Sequence, residues 1–324
     1  MPTALITGAA GFLGRALVRR LLAGGYGVRG LVRRPAPEGV LDAAVEQVVG
    51  DATEAAALAR AVSGCDVVFH LAGVRRATDA AEFMRVNAGS TRLLLEACLA
   101  AGAARQRFVL AGSLAAVGPS AAPRVEEDPL APVEPYGASK AEAERIVFGF
   151  ADRLPVSVGR PPRIMGPGDR ENLLFFRIAA KGFVLRFGGA ERPLSWIDVD
   201  DCAEGFALLA DRREARGEAF FVASSEVTNV TQLQRDIARA LGVASREIAI
   251  PARAVELAAR AADVVTDLTG HRLPLNRKLA RQVLAPGWTC SAAKAERVLG
   301  FRATTPLATS LARAAHSYRE LGLV

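Results

Sequence analysis

Short apolar runs alternate with stretches of helical periodicity through the first half of the chain. Ala4–Thr7 is a short apolar run, whereas residues 12–22 place apolar side chains at helical spacing. We expect the alternation to continue with strands at Val28–Val32, Val45–Val49, Val67–Leu71, Arg107–Ala111 and Val156–Arg160, and with helices at Asp79–Ala101 and Tyr136–Phe150. Parallel strands joined by helices have right-handed crossovers. The pattern therefore predicts an α/β fold with a doubly wound parallel sheet.

Three glycines separate the first strand from the first helix. Gly8, Gly11 and Gly14 have the spacing G-x-x-G-x-x-G. Glycines allow a tight turn and a close backbone approach to a ligand, and the helix N-terminus offers free N–H groups to an anion. An ordinary strand-to-helix turn is the alternative. The position directly after the first strand of an alternating chain favours a dinucleotide cradle, and hence a Rossmann-type fold.

From Pro161 onward, the alternation breaks up into a mixture of short strands and helices. We expect strands at Val184–Phe187 and Ala219–Ala223, and helices at Val199–Leu209, Thr231–Leu241 and Pro251–Leu268. The Pro- and Gly-rich stretches GRPPRIMGPGD and LAPGW are typical of crossings between parts. We predict a dinucleotide-binding domain over residues 1–160, with elements from about 190–225 returning to it. Residues 161–324 form a smaller, mainly substrate-binding part.

Composition excludes several classes of function. The 324 residues are 51% hydrophobic and 23% charged, which is typical of a globular protein and not of a disordered chain. The net charge of +7 comes mainly from arginines that are spread along the chain, and no basic run is interleaved with aromatic residues. We therefore expect no nucleic-acid partner. The four cysteines and three histidines are scattered, so we expect free buried thiols and no metal site.

The N-terminal sequence and the most apolar segment bear on the cellular compartment of the protein. A strand begins almost at the N-terminus, which leaves no room for a signal peptide. The most apolar helical stretch, Ala252–Leu268, carries five charged residues, a pattern that favours a core helix or pocket lid over a membrane span. We expect a cytoplasmic protein without a membrane partner.

Candidate chemistry appears in the stretch PYGASKAEAE. Tyr136 and Lys140 are four residues apart, so on a helix they share one face. A lysine ammonium close to a phenol favours the phenolate, which makes Tyr136 a candidate acid or base. Ser113 lies just past the end of a predicted strand, where a hydroxyl can stabilise charge that develops on a substrate oxygen. A solvated helix face with an extended lysine is the alternative.

Six ordered motifs resemble the extended short-chain dehydrogenases/reductases over almost the whole chain. They are TGAAGFLG (7–14), GDAT (50–53), HLAG (70–73), RVNAGSTRLLLEAC (85–98), RPPRIMGPGD (160–169) and SWIDVDDCAEGF (195–206). The resemblance implies that Ser113, Tyr136 and Lys140 form a catalytic triad and that Asn87 has a structural or proton-relay role. It implies cofactor contacts from Gly8, Gly11, Phe12, Leu13, Gly14, Asp51, Ala52, Leu71, Ala72, Gly73, Tyr136, Lys140, Pro161 and Ile164.

The end of the second strand bears on the choice of cofactor. An NAD site in this fold usually has an acidic residue there, which binds the adenine ribose 2′-hydroxyl. This chain has Val32 followed by Arg33 and Arg34. Because an arginine can pair bidentately with a 2′-phosphate, we predict NADP(H), with Arg33 the main contact and NAD(H) possible. Two solvated loop arginines are the alternative.

Three functions remain open at this point. The first is a ketoreductase on a fairly apolar small molecule, resembling dihydroflavonol reductases and 3β-hydroxysteroid dehydrogenases. The second is a nucleotide-sugar epimerase or reductase, and the third is a non-catalytic NAD(P)-sensing protein. The family's dehydratases place Asp-Glu after the catalytic hydroxyl, whereas Leu114 and Ala115 follow Ser113 here. The family also suggests a homodimer through residues 79–101 and 136–150.

Overall fold

The computed structural model describes residues 1–102, 106–189, 191–269 and 277–324, except for the side chains at 267, 268, 278 and 279. Its strands are β1 Thr3–Thr7, β2 Gly27–Val32, β3 Glu46–Val49, β4 Val67–His70, β5 Arg107–Ala111, β6 Val156–Gly159, β7 Arg163–Met165, β8 Phe183–Phe187, β9 Pro193–Asp198, β10 Glu218–Phe220, β11 Val227–Asn229 and β12 Arg246–Ile250.

The helices alternate with these strands through the first half and dominate the second half. They are α1 Phe12–Ala23, α2 Ala55–Val62, α3 Ala80–Phe83, α4 Ser90–Ala100, α5 Leu114–Val117, α6 Pro135–Phe148, α7 Leu173–Ala180, α8 Val199–Asp211, α9 Val230–Ala240, α10 Ala252–Thr269, α11 Arg277–Leu284, α12 Ala293–Leu299 and α13 Leu307–Glu320. A π-helical segment, Met84–Gly89, joins α3 to α4. Among the helices described, none is both long enough and apolar enough to cross a membrane.

A parallel sheet occupies the centre of the fold. In the described part of the chain it has seven strands in the order β10-β6-β5-β4-β1-β2-β3. Every pairing in it is parallel. The order reverses between β1 and β4, which is the point where a doubly wound sheet opens a crevice for a ligand. The Rossmann-type fold predicted from the alternation is thus confirmed.

Period-two burial along the strands explains why helices cover both faces. On β1, Ala4 and Ile6 pack with α1 and α8, whereas Leu5 packs with α2, α4 and α6. On β4, Phe69 faces the layer that contains α1 and α8, here called the first core layer. Val68 faces the layer that contains α2, α4 and α6, the second core layer. Because successive strand side chains point to opposite faces, two apolar layers form around one sheet.

The C-terminal half supplies two small sheets and a separate core. The sheets have the orders β11-β9-β7 and β12-β8. Trp196 of β9 is fully buried in the core together with side chains from α7, α9 and α13. The same half also returns β10 to the edge of the large sheet, beside β6, and packs α8 against α1.

The structure changes several predicted boundaries. The predicted helix over Asp79–Ala101 is helical throughout residues 80–100, but its middle segment, Met84–Gly89, is π-helical and not α-helical. The strand predicted over Ala219–Ala223 is shorter, since only residues 218–220 pair with β6. Residues 270–276, which follow the predicted helix at 251–268, lie outside the described residues. The four cysteines are buried and free, as predicted.

Candidate active site

Each glycine of the G-x-x-G-x-x-G turn has its own steric reason. Gly8 has a φ of +75°, and a Cβ there would lie 3.0 Å from the backbone nitrogen of Ala72. A Cβ on Gly14 would lie 2.2 Å from the carbonyl oxygen of Gly8, and one on Gly11 would lie 3.0 Å from the same atom. Gly11 caps α1 without a side-chain hydrogen bond. The turn therefore presses α1 against the end of β1 and leaves the helix N-terminus open to an anion.

The half-buried side chains of Phe12 and Leu13 anchor the start of α1. Both pack against the core layer that contains α1 and α8. Their backbone N–H groups belong to the first turn of a helix, where no intrahelical partner exists. The structure therefore fits a dinucleotide diphosphate at this turn.

A buried hydrogen-bond chain joins the turn to the end of β4. The backbone N–H of Ala72 donates to Thr7 Oγ1 (3.1 Å), and Thr7 Oγ1 lies 2.7 Å from His70 Nδ1. On the other side of the ring, His70 Nε2 lies 3.1 Å from Ser90 Oγ, which donates to the carbonyl of Val86. Since the Ser90 hydroxyl is already donating, we assign the ring proton to Nε2.

Burial keeps this histidine neutral. His70 is 1% exposed, and burial, reinforced by the nearby charge of Lys140, lowers its pKa to about 3. His70 therefore acts as a fixed link between β1, β4 and the π-helical segment. The only sequence signal for His70 is its place in HLAG at the end of a predicted strand.

Ser113 follows β5 and begins a short helix. Its Oγ accepts a hydrogen bond from the backbone N–H of Ala115 (3.1 Å), so it caps α5. The hydroxyl proton therefore stays available to a ligand, and the side chain is half-buried. Leu114, the next residue, is held by its backbone N–H to the carbonyl of Pro161 (3.1 Å). That bond joins the end of β5 to the segment after β6.

Tyr136 and Lys140 lie on one face of α6 and are both buried. The ring of Tyr136 makes an edge contact with Phe83, with centroids 6.2 Å apart. Its hydroxyl has no hydrogen-bond partner within the part of the chain that the structure describes. Lys140 Nζ donates to the carbonyl of Ala111 (2.8 Å), at the end of β5. The hydrogen bond fixes the ammonium beside the strand that leads to Ser113.

Asn87 lies on the π-helical segment and braces the loop after β4. Its Oδ1 accepts from the N–H of Val74 (2.8 Å), while its Nδ2 donates to the Val74 carbonyl (3.0 Å) and to Ser139 Oγ (2.9 Å). A Cβ on Gly73 would lie 2.8 Å from Asn87 Oδ1 and 3.6 Å from Lys140 Nζ. The amide is thus engaged on both sides, which favours a structural role. A π-helical turn is common at functional sites.

Arg33 and Arg34 follow β2 and are both exposed. Near them, Asp51 accepts hydrogen bonds from the N–H (2.8 Å) and hydroxyl (2.7 Å) of Thr53. These bonds, with the charges of Arg33 and Arg85, hold the pKa of Asp51 below its usual range. The half-buried Ala52 packs against the second core layer. Arg33 and the Asp51 loop therefore lie close together at the end of the sheet where the adenosine half of a dinucleotide binds.

The segment after β6 contains Pro161 and Ile164. Pro161 is buried, and its carbonyl accepts the hydrogen bond from the backbone N–H of Leu114. The half-buried Ile164 packs against the first core layer. Immediately before it, Arg160 forms a buried ion pair with Glu144 of α6. This pair, which sequence analysis missed, fixes the segment relative to the helix that carries Tyr136 and Lys140.

Two neighbouring arginines that sequence analysis missed follow β4, and one of them packs on Tyr136. Arg75, in the loop after β4, places its Cζ 5.3 Å from the centroid of the Tyr136 ring. Arg75 and Arg76 both face Glu171, at 3.8 and 3.7 Å from its Oε2. No sequence signal identified them, because the contact joins residues 61 positions apart in the chain.

Comparison with known proteins finds similarity over most of the chain. The family model for the NAD dependent epimerase/dehydratase family matches residues 4–223. A ceramide reductase of Caulobacter vibrioides is 36% identical over 89% of this chain and 86% of its own length. A UDP-glucose 4-epimerase of Vibrio cholerae is 26% identical over 82% of this chain and 85% of its own length. The structure of MoeE5 in complex with UDP-glucuronic acid and NAD aligns over 98% of this chain and 99% of the MoeE5 chain. The sequence identity is 25% and the TM-score is 0.78.

Proposed function

The chain belongs to the NAD dependent epimerase/dehydratase family, among the extended short-chain dehydrogenases/reductases, and we propose that it is an NADP(H)-dependent ketoreductase. It would interconvert a ketone and a secondary alcohol on a fairly apolar small molecule. The observation that carries this proposal is the buried Tyr136, whose hydroxyl has no partner among the described residues, on the same helix face as Lys140. A purely cofactor-sensing protein would not need this pair.

Each residue of the proposed triad has one role. The bound nicotinamide supplies or accepts the hydride. Tyr136 donates a proton to the substrate oxygen during reduction and takes it back during oxidation. Lys140, held at the end of β5 by Ala111, stabilises the phenolate and binds the nicotinamide ribose. Ser113 donates its free hydroxyl proton to the carbonyl and so stabilises the charge that develops there.

The remaining residues form the cofactor site. The glycine turn, Phe12 and Leu13 would bind the diphosphate, while Asp51 and Ala52 would border the adenine. Leu71–Gly73 would bind along the ribose and diphosphate, and Pro161 and Ile164 would lie beside the nicotinamide. Arg33 supplies the cation for a 2′-phosphate, with Arg34 beside it, and no acidic residue stands at the end of β2 to favour NAD.

The C-terminal half would bind the substrate body. An apolar substrate is supported by the ceramide reductase relative. A nucleotide-sugar epimerase is the second candidate, favoured by the UDP-glucose 4-epimerase relative and by MoeE5 with its bound UDP-glucuronic acid. Against it, Leu194 stands where such enzymes often have an arginine, and it is buried in β9. Arg192, nearby, donates to the carbonyl of Phe187.

Cofactor titration tests the proposal first. We would follow the fluorescence of NADPH and NADH during titration of the wild type, Arg33→Ala and the control Arg34→Ala. Tighter NADPH binding is expected, with a preference that shrinks by ~1–3 kcal/mol in Arg33→Ala, the scale of a charge-assisted contact. In Arg34→Ala, the preference for NADPH over NADH should shrink by less. Equal or tighter binding of NADH would contradict the NADP(H) assignment.

Substrate turnover then separates the two candidate functions. Aromatic and alicyclic ketones with NADPH should show oxidation of the nucleotide. Conversion of UDP-glucose without net nucleotide turnover would instead support the epimerase.

A further inference from the structure

Arg75 lies beside the proposed acid with its donors unused. The guanidinium carbon is 5.3 Å from the centroid of the Tyr136 ring, and the side chain is 57% exposed. Its nearest carboxylate oxygen, on Glu171, is 3.8 Å from Nε, which is beyond hydrogen-bond distance. Within the described ranges, Arg75 therefore makes no hydrogen bond, although its guanidinium lies against the ring of the proposed acid.

The surrounding carboxylates do not satisfy this cation. Glu171 is shared with Arg76, at 3.7 Å from the same oxygen. Asp169 is buried, and its oxygens accept hydrogen bonds from the backbone of Glu171 and from Asn172. Glu134, at the start of α6, contributes a more general negative charge. One loosely placed carboxylate between two arginines leaves room for another anion.

A second cation, Arg163 on β7, is bonded to Asn172, the residue that follows the Glu171 that Arg75 faces. It donates to Asn172 Oδ1 and places its Cζ 5.6 Å from the Phe175 ring, while its Nε is buried without a hydrogen-bond partner among the described residues. Burial and the charge of Arg75 together lower the pKa of Arg163. Two guanidinium groups held this way repel one another, and an anion beside them relieves the repulsion.

We propose that Arg75, together with Arg163, binds a carboxylate of the substrate, so that the preferred substrates are acids whose carboxylate lies a few bonds from the ketone carbon. This inference rests on the proposed ketoreductase function. A carbonyl that accepts a hydrogen bond from Tyr136 lies at the edge of the ring that Arg75 covers. A carboxylate one or two carbons further along reaches the guanidinium, whose planar fork matches two carboxylate oxygens.

The test compares an acid with its own ester. We would measure oxidation of 3-hydroxydecanoate and methyl 3-hydroxydecanoate with NADP⁺, by NADPH absorbance, in the wild type, Arg75→Gln and Arg76→Gln. Arg76 is the matched control because it faces the same carboxylate from a more exposed position. The wild type should prefer the acid in kcat/KM by about tenfold or more, and Arg75→Gln should lose about tenfold of that acid-to-ester ratio. Arg76→Gln should keep the ratio.

The remaining outcomes overturn the inference in distinguishable ways. A wild type that oxidises the ester as well as the acid, or an equal loss in both variants, removes the carboxylate site but leaves the ketoreductase intact. Turnover of a neutral alicyclic alcohol without turnover of either decanoate also removes the carboxylate site and leaves the ketoreductase intact. If no alcohol is oxidised although NADP⁺ binds, the proposed function falls and the inference falls with it.

Discussion

The guanidinium of Arg160 and the carboxylate of Glu144 form a buried ion pair between the segment after β6 and α6. Arg160 Nε and Nη2 lie 2.9 and 2.8 Å from Glu144 Oε2, and the side chains are 5% and 0% exposed. Burial raises the pKa of Glu144, and the charge of Arg160 opposes that rise. The pair connects the helix of Tyr136 and Lys140 to the segment that begins at Pro161.

Removal of the Arg160 guanidinium should lower the free energy of unfolding. Arg160→Met leaves a buried carboxylate without its partner, and we expect a loss of ~3–5 kcal/mol in the free energy of unfolding, measured in urea. The control is Arg145→Met, which breaks an exposed pair with Glu142 on the same helix and should cost ~0–1 kcal/mol. Equal losses in the two variants would contradict the importance of the buried pair.

Gly14→Ala tests the steric basis of the cradle. The new methyl carbon would lie 2.2 Å from the carbonyl oxygen of Gly8, so α1 or the turn must move. We expect NADPH affinity to fall by about tenfold or more, because overpacking of this kind costs ~1–3 kcal/mol. Gly27→Ala is the control, since its methyl would lie 3.3 Å from the flexible end of Met1 and otherwise at ordinary contact distance from Thr3 and Pro2, at the opposite end of the sheet. Unchanged affinity in Gly14→Ala would contradict a cradle at this turn.

The sequence was most informative where a backbone requirement selects the residue. The glycines at 8, 11 and 14 predict a turn because each position excludes a Cβ, and the alternating runs predict the sheet because its central strands β1, β4 and β5 are buried on both faces. Tyr136 and Lys140 were predictable as a pair because helical spacing alone puts them on one face.

Features that depend on distant contacts could not be predicted. The π-helical segment arises where Asn87 bonds to Val74 and Ser139, and periodicity does not contain those partners. The ion pair of Arg160 with Glu144 and the stacking of Arg75 on Tyr136 also join separate elements. Strand order and loop packing determine these contacts, and no short window of sequence carries that information.

Tyr136→Phe tests the proposed acid. The phenyl ring keeps its edge contact with Phe83, so the fold and nucleotide binding should remain while kcat for ketone reduction falls by ~10²–10⁴-fold. Tyr318→Phe serves as a control, because that hydroxyl is buried in the C-terminal core and has no partner among the described residues. It should retain full activity. A Tyr136→Phe variant with wild-type kcat would assign the proton transfer to another group.

Acid sensitivity should follow from His70. Burial lowers its pKa from 6.5 to about 3, so between these values the unfolded chain binds a proton that the folded chain does not. Stability should therefore fall as the pH drops below about 6.5, by up to ~1.4 kcal/mol per pH unit from this group. In urea unfolding at several pH values, His70→Asn should flatten the dependence, because the amide cannot titrate. Replacement of the exposed His316 by Asn should leave the slope as it is. If His70→Asn has the wild-type slope, the neutral link between Thr7 and Ser90 is not what makes the fold sensitive to acid.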